Sequence, residues 1–334
     1  MKNYTIRDIA RLAGVSVTTV SRVMNDRPDV SRDTQEKVRR VIRECHFVGN
    51  ANARGLKQTE PESVALIIRG RKNPFLSALT EAILLCPRMR QTAVITEYID
   101  EEADEFQQAL TLIHGRRVRG VLFLGSRIDE RCQALAGETA PLVFATVNTA
   151  GTAMERAASV SMDDRAMARR AVETLLNRGC GRVAVFGGSR EGSDSLALRA
   201  LGAEDALRAK GLQMEEGQYV KTRFNLEEAY QAALSFFRDR PDIDGAFCMS
   251  DTVALGVMRA LSDLGRQVPR DVSVLGVDGM EIGQYVTPRL STVAQPVEEI
   301  ARESVDILMD MIEQGAPPRH ITVEGRLVLR ESVR

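Results

Sequence analysis

Apolar positions recur at helical spacing three times within the first 45 residues, then give way to short apolar runs separated by amphipathic stretches. Ile6, Ile9, Ala10 and Ala13 share one face, opened by the Thr5 and Asp8 capping signal and stopped at Gly14. Ser16 caps a second, shorter helix that turns Val20 and Val23 inward. Ser31 caps a third, with Val38, Val41 and Ile42 as its inner face. Two short helices joined by a glycine-containing turn of about three residues predict a helix-turn-helix. From residue 61 the spacing predicts strands at Val64–Ile68, Ala93–Tyr98, Val118–Leu124, Leu142–Val147, Val183–Phe186, Gly245–Met249 and Val272–Val277. Helices are predicted between them at 75–86, 102–114, 164–178, 196–210, 226–239, 252–264 and 297–314. Strands alternating with helices imply parallel sheets covered on both faces. The expected fold is therefore an all-α helix-turn-helix domain followed by an α/β body of two subdomains, divided near residue 161.

Charge adds a polarity to this division. Residues 1–57 hold twelve Lys/Arg and six Asp/Glu, whereas the whole chain is at −1, so the remaining 277 residues sum to −7. A basic head on an acidic body suits a DNA-binding module joined to a sensor, although a solvated basic helix surface would read the same way. The chain has no run of about 20 apolar residues and its N-terminus lacks an apolar signal core. The five cysteines form no CxxC pair, which fits a reducing cytoplasm, and the three histidines show no zinc-ligand spacing. No metal or cofactor is expected.

The second helix has the chemistry of a reader. Val17, Thr18, Ser21, Arg22 and Asn25 face outward and, apart from the arginine, are short, so the helix N-terminus can approach base edges and phosphates. Arg22 can pair bidentately with a guanine, and Val17 and the Thr18 methyl can meet a thymine methyl. Ser16, Thr19, Ser21, Ser31 and Thr34 suit phosphate contacts; any one serine taken alone reads more readily as a plain cap, and the combined pattern decides. The segment TIRDIARLAGVSVTTVSRVMNDRPDVSRDTQEKVRRVI resembles the N-terminal domain of the LacI/GalR repressor family, whose most specific signature is AGVSxxTVSRVxN. The match is dense over residues 4–57 and continues more sparsely to the C-terminus. The resemblance adds Thr5, Ile6, Val30, Asn50 and Ala53 to the DNA contacts, and a hinge helix over residues 50–57 with Leu56 as a minor-groove wedge. So short a helix is unstable alone, the more so with Gly55, and its folding must be coupled to DNA. Gly49 stands where that family usually has proline, which loosens the hinge. The resulting domains are 1–48 for DNA reading, 49–60 for the hinge and linker, and 61–334 for the sensor. Within the sensor, subdomain 1 is expected at 61–161 and 290–320, and subdomain 2 at 162–289 and 321–334, with a final strand at Leu327–Leu329.

The body resembles the periplasmic-binding-protein-like sensor of that family. Ligands in such sheets bind beyond the carboxyl ends of the strands. That rule nominates Arg69, Lys72, Asn73 and Phe75 after the first strand, Arg127 after the third, and Thr146 and Asn148 after the fourth. The second half contributes Ser189 to Ser195, Ser250, Asp251 and Asp278. The resemblance singles out Arg199 in an R-x-x-G pattern as the residue that holds the effector. It also points to Asp251 in SDTVALG, Asp278 in GVDGM, and Phe224 as a ring-stacking aromatic. Each has another reading: Asp251 as a helix cap, Arg199 as half of a surface ion pair, Phe224 as core. Thr146 stands where many sugar-binding relatives have a carboxylate, and Arg69, Arg71, Lys72 and Arg127 add cations, a combination that suits an anionic effector.

The family implies a cytoplasmic homodimer on a palindromic operator in double-stranded DNA, controlled by a small carbohydrate-like effector. No heptad tail follows the last strand, which predicts a dimer rather than a tetramer. Two rival readings are weaker. A sugar-transport protein would share the body but not the head, and an α/β enzyme would need more than the Gly187–Gly192 loop, which matches neither GxGxxG nor GxxxxGK[ST].

Overall fold

The computed structural model describes residues 6–24, 31–44, 63–70, 73–190 and 195–334. The chain divides into two compact units, Met1–Pro61 and Glu62–Arg334.

In the first unit α1 (Ile6–Ala13), α2 (Val17–Met24) and α3 (Arg32–Glu44) close around Ile9, Ala10, Ala13, Val20, Val23, Val38 and Val41. The turn between α1 and α2 is set by Gly14 at φ +61. There the Gly14 amide donates to the Arg11 carbonyl and the Val15 amide to that of Ala10, the Schellman arrangement in which glycine avoids a Cβ penalty. The Ser16 hydroxyl then accepts from the Thr19 amide at 3.0 Å and starts α2.

The second unit holds two six-stranded sheets. The first has the order β11-β5-β4-β3-β1-β2 and is parallel throughout. Its strands are β1 (Ser63–Arg69), β2 (Ala93–Ile99), β3 (Val121–Leu124), β4 (Leu142–Ala145), β5 (Ala157–Met162) and β11 (His320–Val323). It is covered by α4 (Pro74–Leu85), the short α5 (Pro87–Arg90), α6 (Glu105–Leu110) and α11 (Val297–Glu313). The second sheet runs β12-β10-β9-β8-β6-β7, with only β12 antiparallel to its neighbour. Its strands are β6 (Val183–Gly187), β7 (Tyr219–Lys221), β8 (Gly245–Cys248), β9 (Ser273–Asp278), β10 (Ser291–Ala294) and β12 (Arg326–Val328). Its helices are α7 (Asp164–Asn177), α8 (Ser195–Ala209), α9 (Leu226–Asp239) and α10 (Asp251–Asp263).

Central strands are buried along their whole length, which is why they read as continuous apolar runs: β1 presents Val64, Ala65, Leu66, Ile67 and Ile68 with no exposed surface. Each such Ile or Leu contributes on the order of 1.5–3 kcal/mol by leaving water. Phe123 and Phe144 stack at 4.3 Å beneath the first sheet.

The chain passes between halves after Met162, at Gln295–Pro296 and at Glu324–Gly325. This corrects the expected boundary at 290: β10 (Ser291–Ala294) pairs with β9 and β12 and so belongs to the second half, and only α11 and β11 return to the first. A four-residue strand rich in hydroxyls has no apolar run to announce it. The same reason hides β5, whose Ser159 and Ser161 are buried. Two further expectations shift at their ends. The strand expected over Leu142–Val147 stops at Ala145, because Thr146 turns to φ +82. The helix expected over 102–114 is α6 followed by a π-type turn, Thr111–Gly115.

Candidate effector cleft and DNA-reading helix

Parallel strands of both sheets deliver their carboxyl ends to a cavity of about 620 Å³ within the second unit, within the size range of small-molecule sites. Arg69, Asn73, Phe75, Arg127 and Thr146 line it from the first half, and Arg199, Phe224 and Asp278 from the second. Asn73 also caps α4, its side chain accepting from the Phe75 amide at 3.1 Å. Thr146 joins the halves, its carbonyl accepting from the Ser195 hydroxyl at 2.6 Å.

Arg199 is held by two bonds that fix its plane. Its Nε donates to Asp164 at 2.7 Å and its Nη1 to the Met249 carbonyl at 2.6 Å, and both side chains of the ion pair are almost fully buried. The R-x-x-G pattern now has a physical reading. A Cβ at Gly202 would lie 2.1 Å from the Arg165 carbonyl oxygen, so glycine lets α8 approach the first turn of α7 closely enough for Arg199 to meet Asp164. Burial pushes the Asp164 carboxyl up, opposed chiefly by Arg199.

Asp278 ends β9 at φ +119, a conformation that costs a non-glycine residue energy and turns its carboxyl toward the cavity. Its Oδ1 accepts from the Gln295 side-chain amide at 2.8 Å. Its Oδ2 is buried and has no partner. A buried acceptor without a donor costs about 1–3 kcal/mol, a penalty that a ligand hydroxyl would relieve. Burial raises its pKa, with Arg199 pulling the other way.

Asp251 is not part of the cavity lining. The helix cap is Ser250, whose hydroxyl accepts from the Val253 amide at 3.1 Å. Asp251 instead points behind the site, accepting from the Thr292 hydroxyl and the Met280 amide, both at 2.7 Å. It ties β10 and the loop after β9 to α10. The expectation that it faces the ligand is corrected to a supporting role beneath Asp278. Burial, then repulsion from Asp278, raises its pKa.

Part of the predicted excess of cations is offset, at Arg69. Arg69 is buried, donating to the Glu101 carbonyl through Nε at 2.7 Å and through Nη2, with Glu105 3.5 Å from Nη1. Glu105 further accepts from the Ser126 hydroxyl and the Arg127 amide. Glu101, Glu102 and Glu228 line the cavity along with Lys221 and Arg223. Arg71, Lys72 and residues 191–194 lie outside the described residues.

In the first unit α2 leaves Val17, Thr18 and Arg22 exposed and Thr19 half-buried. Ser16 and Thr19 share a 2.8 Å hydroxyl contact, as do Ser31 and Thr34. Of the outward face expected for a reader, Val17, Thr18 and Arg22 are thus exposed. Thr5, Asn25, Val30, Asn50, Ala53 and Leu56 lie outside the described residues, as do the side chains of Ile6 and Ser21.

Comparison with known proteins agrees with both halves of this description. Residues 5–50 match the model for bacterial regulatory proteins of the lacI family, and residues 172–333 that for a periplasmic binding protein-like domain. The HTH-type transcriptional regulator MalR of Clostridium butyricum is 31% identical over 336 residues, covering 98% of each chain. The chain belongs to the LacI family. As a member it is a DNA-binding transcriptional regulator. Among solved structures of the family, a transcriptional regulator CelR–cellobiose complex is 28% identical at a TM-score of 0.72, covering 98% of this chain and 99% of its own. A regulator from Arthrobacter sp. FB24 in complex with lactose is 26% identical at 0.68, covering 82% and 100%.

For this LacI-family chain the motifs did not reveal Asp164, Gln295, Glu101 or Glu228. Asp164 follows Asp163, and the pair reads as one helix start; Asp163 is the actual cap, accepting from the Ala166 amide at 2.9 Å. The doubled aspartate was the available signal, since one cap needs one carboxylate. Gln295 lies in a crossing segment that no strand-end rule addresses.

Proposed function

We propose that the cleft of this regulator takes a neutral polyhydroxylated sugar, and that a cytoplasmic homodimer holds or releases a palindromic operator according to its occupancy. The observation that carries this reading is the unpartnered, buried Oδ2 of Asp278 at a cavity also lined by Arg199, Gln295, Phe75 and Phe224. A ring hydroxyl supplies the missing donor, Arg199 and Gln295 stand beside it, and the aromatic faces suit the apolar side of a sugar ring. Charge balance among the described residues favours neutrality: Arg69 and Arg199 are each matched by a buried carboxylate, and Glu101, Glu102 and Glu228 line the cavity together with Arg127, Lys221 and Arg223. The relatives bearing cellobiose and lactose support the same class. Their names are those of regulators, which favours binding without turnover. No helix among the described residues is long and apolar enough to cross a membrane, as suits a protein that must reach DNA.

Allostery here requires only that the sugar bind one relative orientation of the halves better than the other. Thermal-shift and calorimetric screening of glucose, cellobiose, maltose and lactose against glucose 6-phosphate and gluconate tests the ligand class. A neutral sugar at 100 times its Kd adds about 2.7 kcal/mol. For a unit of this size that raises Tm by about 5–10 °C. Asp278→Asn is expected to remove most of the shift. Stabilisation by the phosphate or acid alone would sink the proposal.

A further inference from the structure

All six strands of the first sheet are parallel, so their amino ends share one rim, opposite the carboxyl ends that carry the cleft. Ser63, the first residue of β1, is where the chain arriving from the DNA-reading unit enters this rim. Arginines gather on both sides of it. Arg116, Arg117 and Arg119 precede β3, Arg156 precedes β5, and Arg90 precedes β2. Arg90, Arg116 and Arg117 are exposed, Arg119 and Arg156 half-buried, and none forms an ion pair with a described residue. Arg156 even keeps its Nε buried with no acceptor.

That pattern departs from the rest of the unit. Elsewhere arginines sit against carboxylates, as in Arg131–Asp129, Arg165–Asp205, Arg182–Asp242 and Arg289–Glu331. Arg170, Arg178, Arg223, Arg238, Arg266, Arg326 and Arg330 form no ion pair among the described residues either, but they are scattered over the second half, and Arg178, Arg266 and Arg330 donate to backbone carbonyls. Of the described acids nearby, Glu138 is engaged by His114 at 2.8 Å, and Asp310 and Glu313 at the end of α11 by Arg88 at 2.7 and 2.8 Å, with Arg319 also 3.7 Å from Asp310.

The turn carrying the central three arginines is rigid and strained. Val118 is buried as an anchor between them, and the Arg119 amide donates to the Ser63 carbonyl at 2.8 Å. Arg117 adopts φ +54, the left-handed position after a helical turn that glycine fills most easily. An arginine there costs stability on the order of 1 kcal/mol, while its side chain makes no described ion pair in return. From β5 to β2 the row spans four strand spacings of about 4.8 Å, roughly 19 Å in all. At about 3.4 Å per base pair that matches five or six pairs.

We propose that this rim is a second, sequence-independent DNA surface, whose arginines neutralise phosphates of the duplex that α2 reads. It rests on the DNA-binding assignment and is independent of the effector class. Covalent connection through Ser63 raises the local concentration of bound duplex at the rim, so individually weak phosphate contacts register in the total affinity. Such contacts carry no base information and weaken with salt.

The test uses the full chain and fluorescence anisotropy on two 30-base-pair duplexes. One carries a site selected by the wild-type protein from a random pool, and the other is scrambled. The triple variant Arg116→Gln, Arg117→Gln, Arg119→Gln is expected to reduce the slope of log K against log salt by about two to three on both duplexes. Arg117→Gly is expected to raise Tm slightly, by relieving the left-handed strain, yet still reduce the slope by about one, which separates a phosphate contact from a folding defect. Arg170→Gln serves as a control and leaves the slope unchanged. An unchanged slope in the triple variant, or weakening confined to the selected site, would overturn the proposal.

Discussion

Replacing Arg199 with methionine keeps most of the side-chain volume and removes the cation that faces Asp164. In the wild type this pair is buried to 7% and 3% side-chain exposure and spans 2.7 Å. Its loss strands a carboxylate in a site with little water, a change that typically costs about 3–5 kcal/mol. The sensing unit runs from Glu62 to Arg334. At about 2–4 °C per kcal/mol for a domain of that order, Tm falls by roughly 6–20 °C. Adding Asp164→Asn removes the stranded charge. What then remains is the Met249 carbonyl without its Nη1 donor, about 1–3 kcal/mol, so the double variant is more stable than the single one. The pH dependence has a definite sign. Burial already raises the Asp164 pKa, and without Arg199 it rises further. A folded-state pKa above the unfolded value means the folded state holds the extra proton, so its contribution is favourable at low pH and is lost as pH rises through the raised pKa. The deficit of Arg199→Met is therefore smaller at pH 5 than at pH 8. Urea unfolding followed by circular dichroism at both values measures it. A deficit below 1 kcal/mol, equal deficits at the two pH values, or a double variant weaker than the single one would refute a buried, compensating pair.

Gly202→Ala puts a methyl 2.1 Å from the Arg165 carbonyl oxygen. It is expected to cost about 1–3 kcal/mol by overpacking and to weaken sugar binding as α8 carries Arg199 away; calorimetry and Tm together check it. Asp251→Asn is expected to flatten the fall in stability between pH 5 and pH 8, because burial and Asp278 raise the Asp251 pKa and the folded state loses its extra proton over that range; an unchanged profile of Tm against pH would count against it. Arg22→Ala is expected to relax one base position by about 1–3 kcal/mol, and Leu56→Ala to weaken binding by loss of a minor-groove kink; mobility shifts on a set of single-base variants distinguish the two.

Local signals in the chain carried the architecture further than the site. Ile9, Val20 and Val38 fall on helical faces whose period is visible in any window, and the runs at Val64–Ile68 and Val272–Val277 are apolar because both faces of a parallel sheet are covered. Short strands of mixed character, such as β5, β7 and β10, give no such period. Their place in the sheets depends on neighbours distant in sequence, which is why the return crossing was expected at 290 and occurs at 295.

What the amino-acid order determined by itself is whatever depends on near neighbours: the capped helices, the Gly14 turn, the exposed Val17–Thr18–Arg22 face, and the arrival of Arg69, Thr146 and Asp278 at strand ends. Tertiary structure decided what each charge does, because that depends on which group from another element lies within hydrogen-bonding distance. It turned Asp251 away from the ligand and toward Thr292, and neutralised Arg69 with Glu105. It also set Gln295 from a crossing segment against one oxygen of Asp278 while leaving the other buried without a partner beside the cavity. In a low-dielectric interior such pairings outweigh any preference a residue carries in its own sequence neighbourhood.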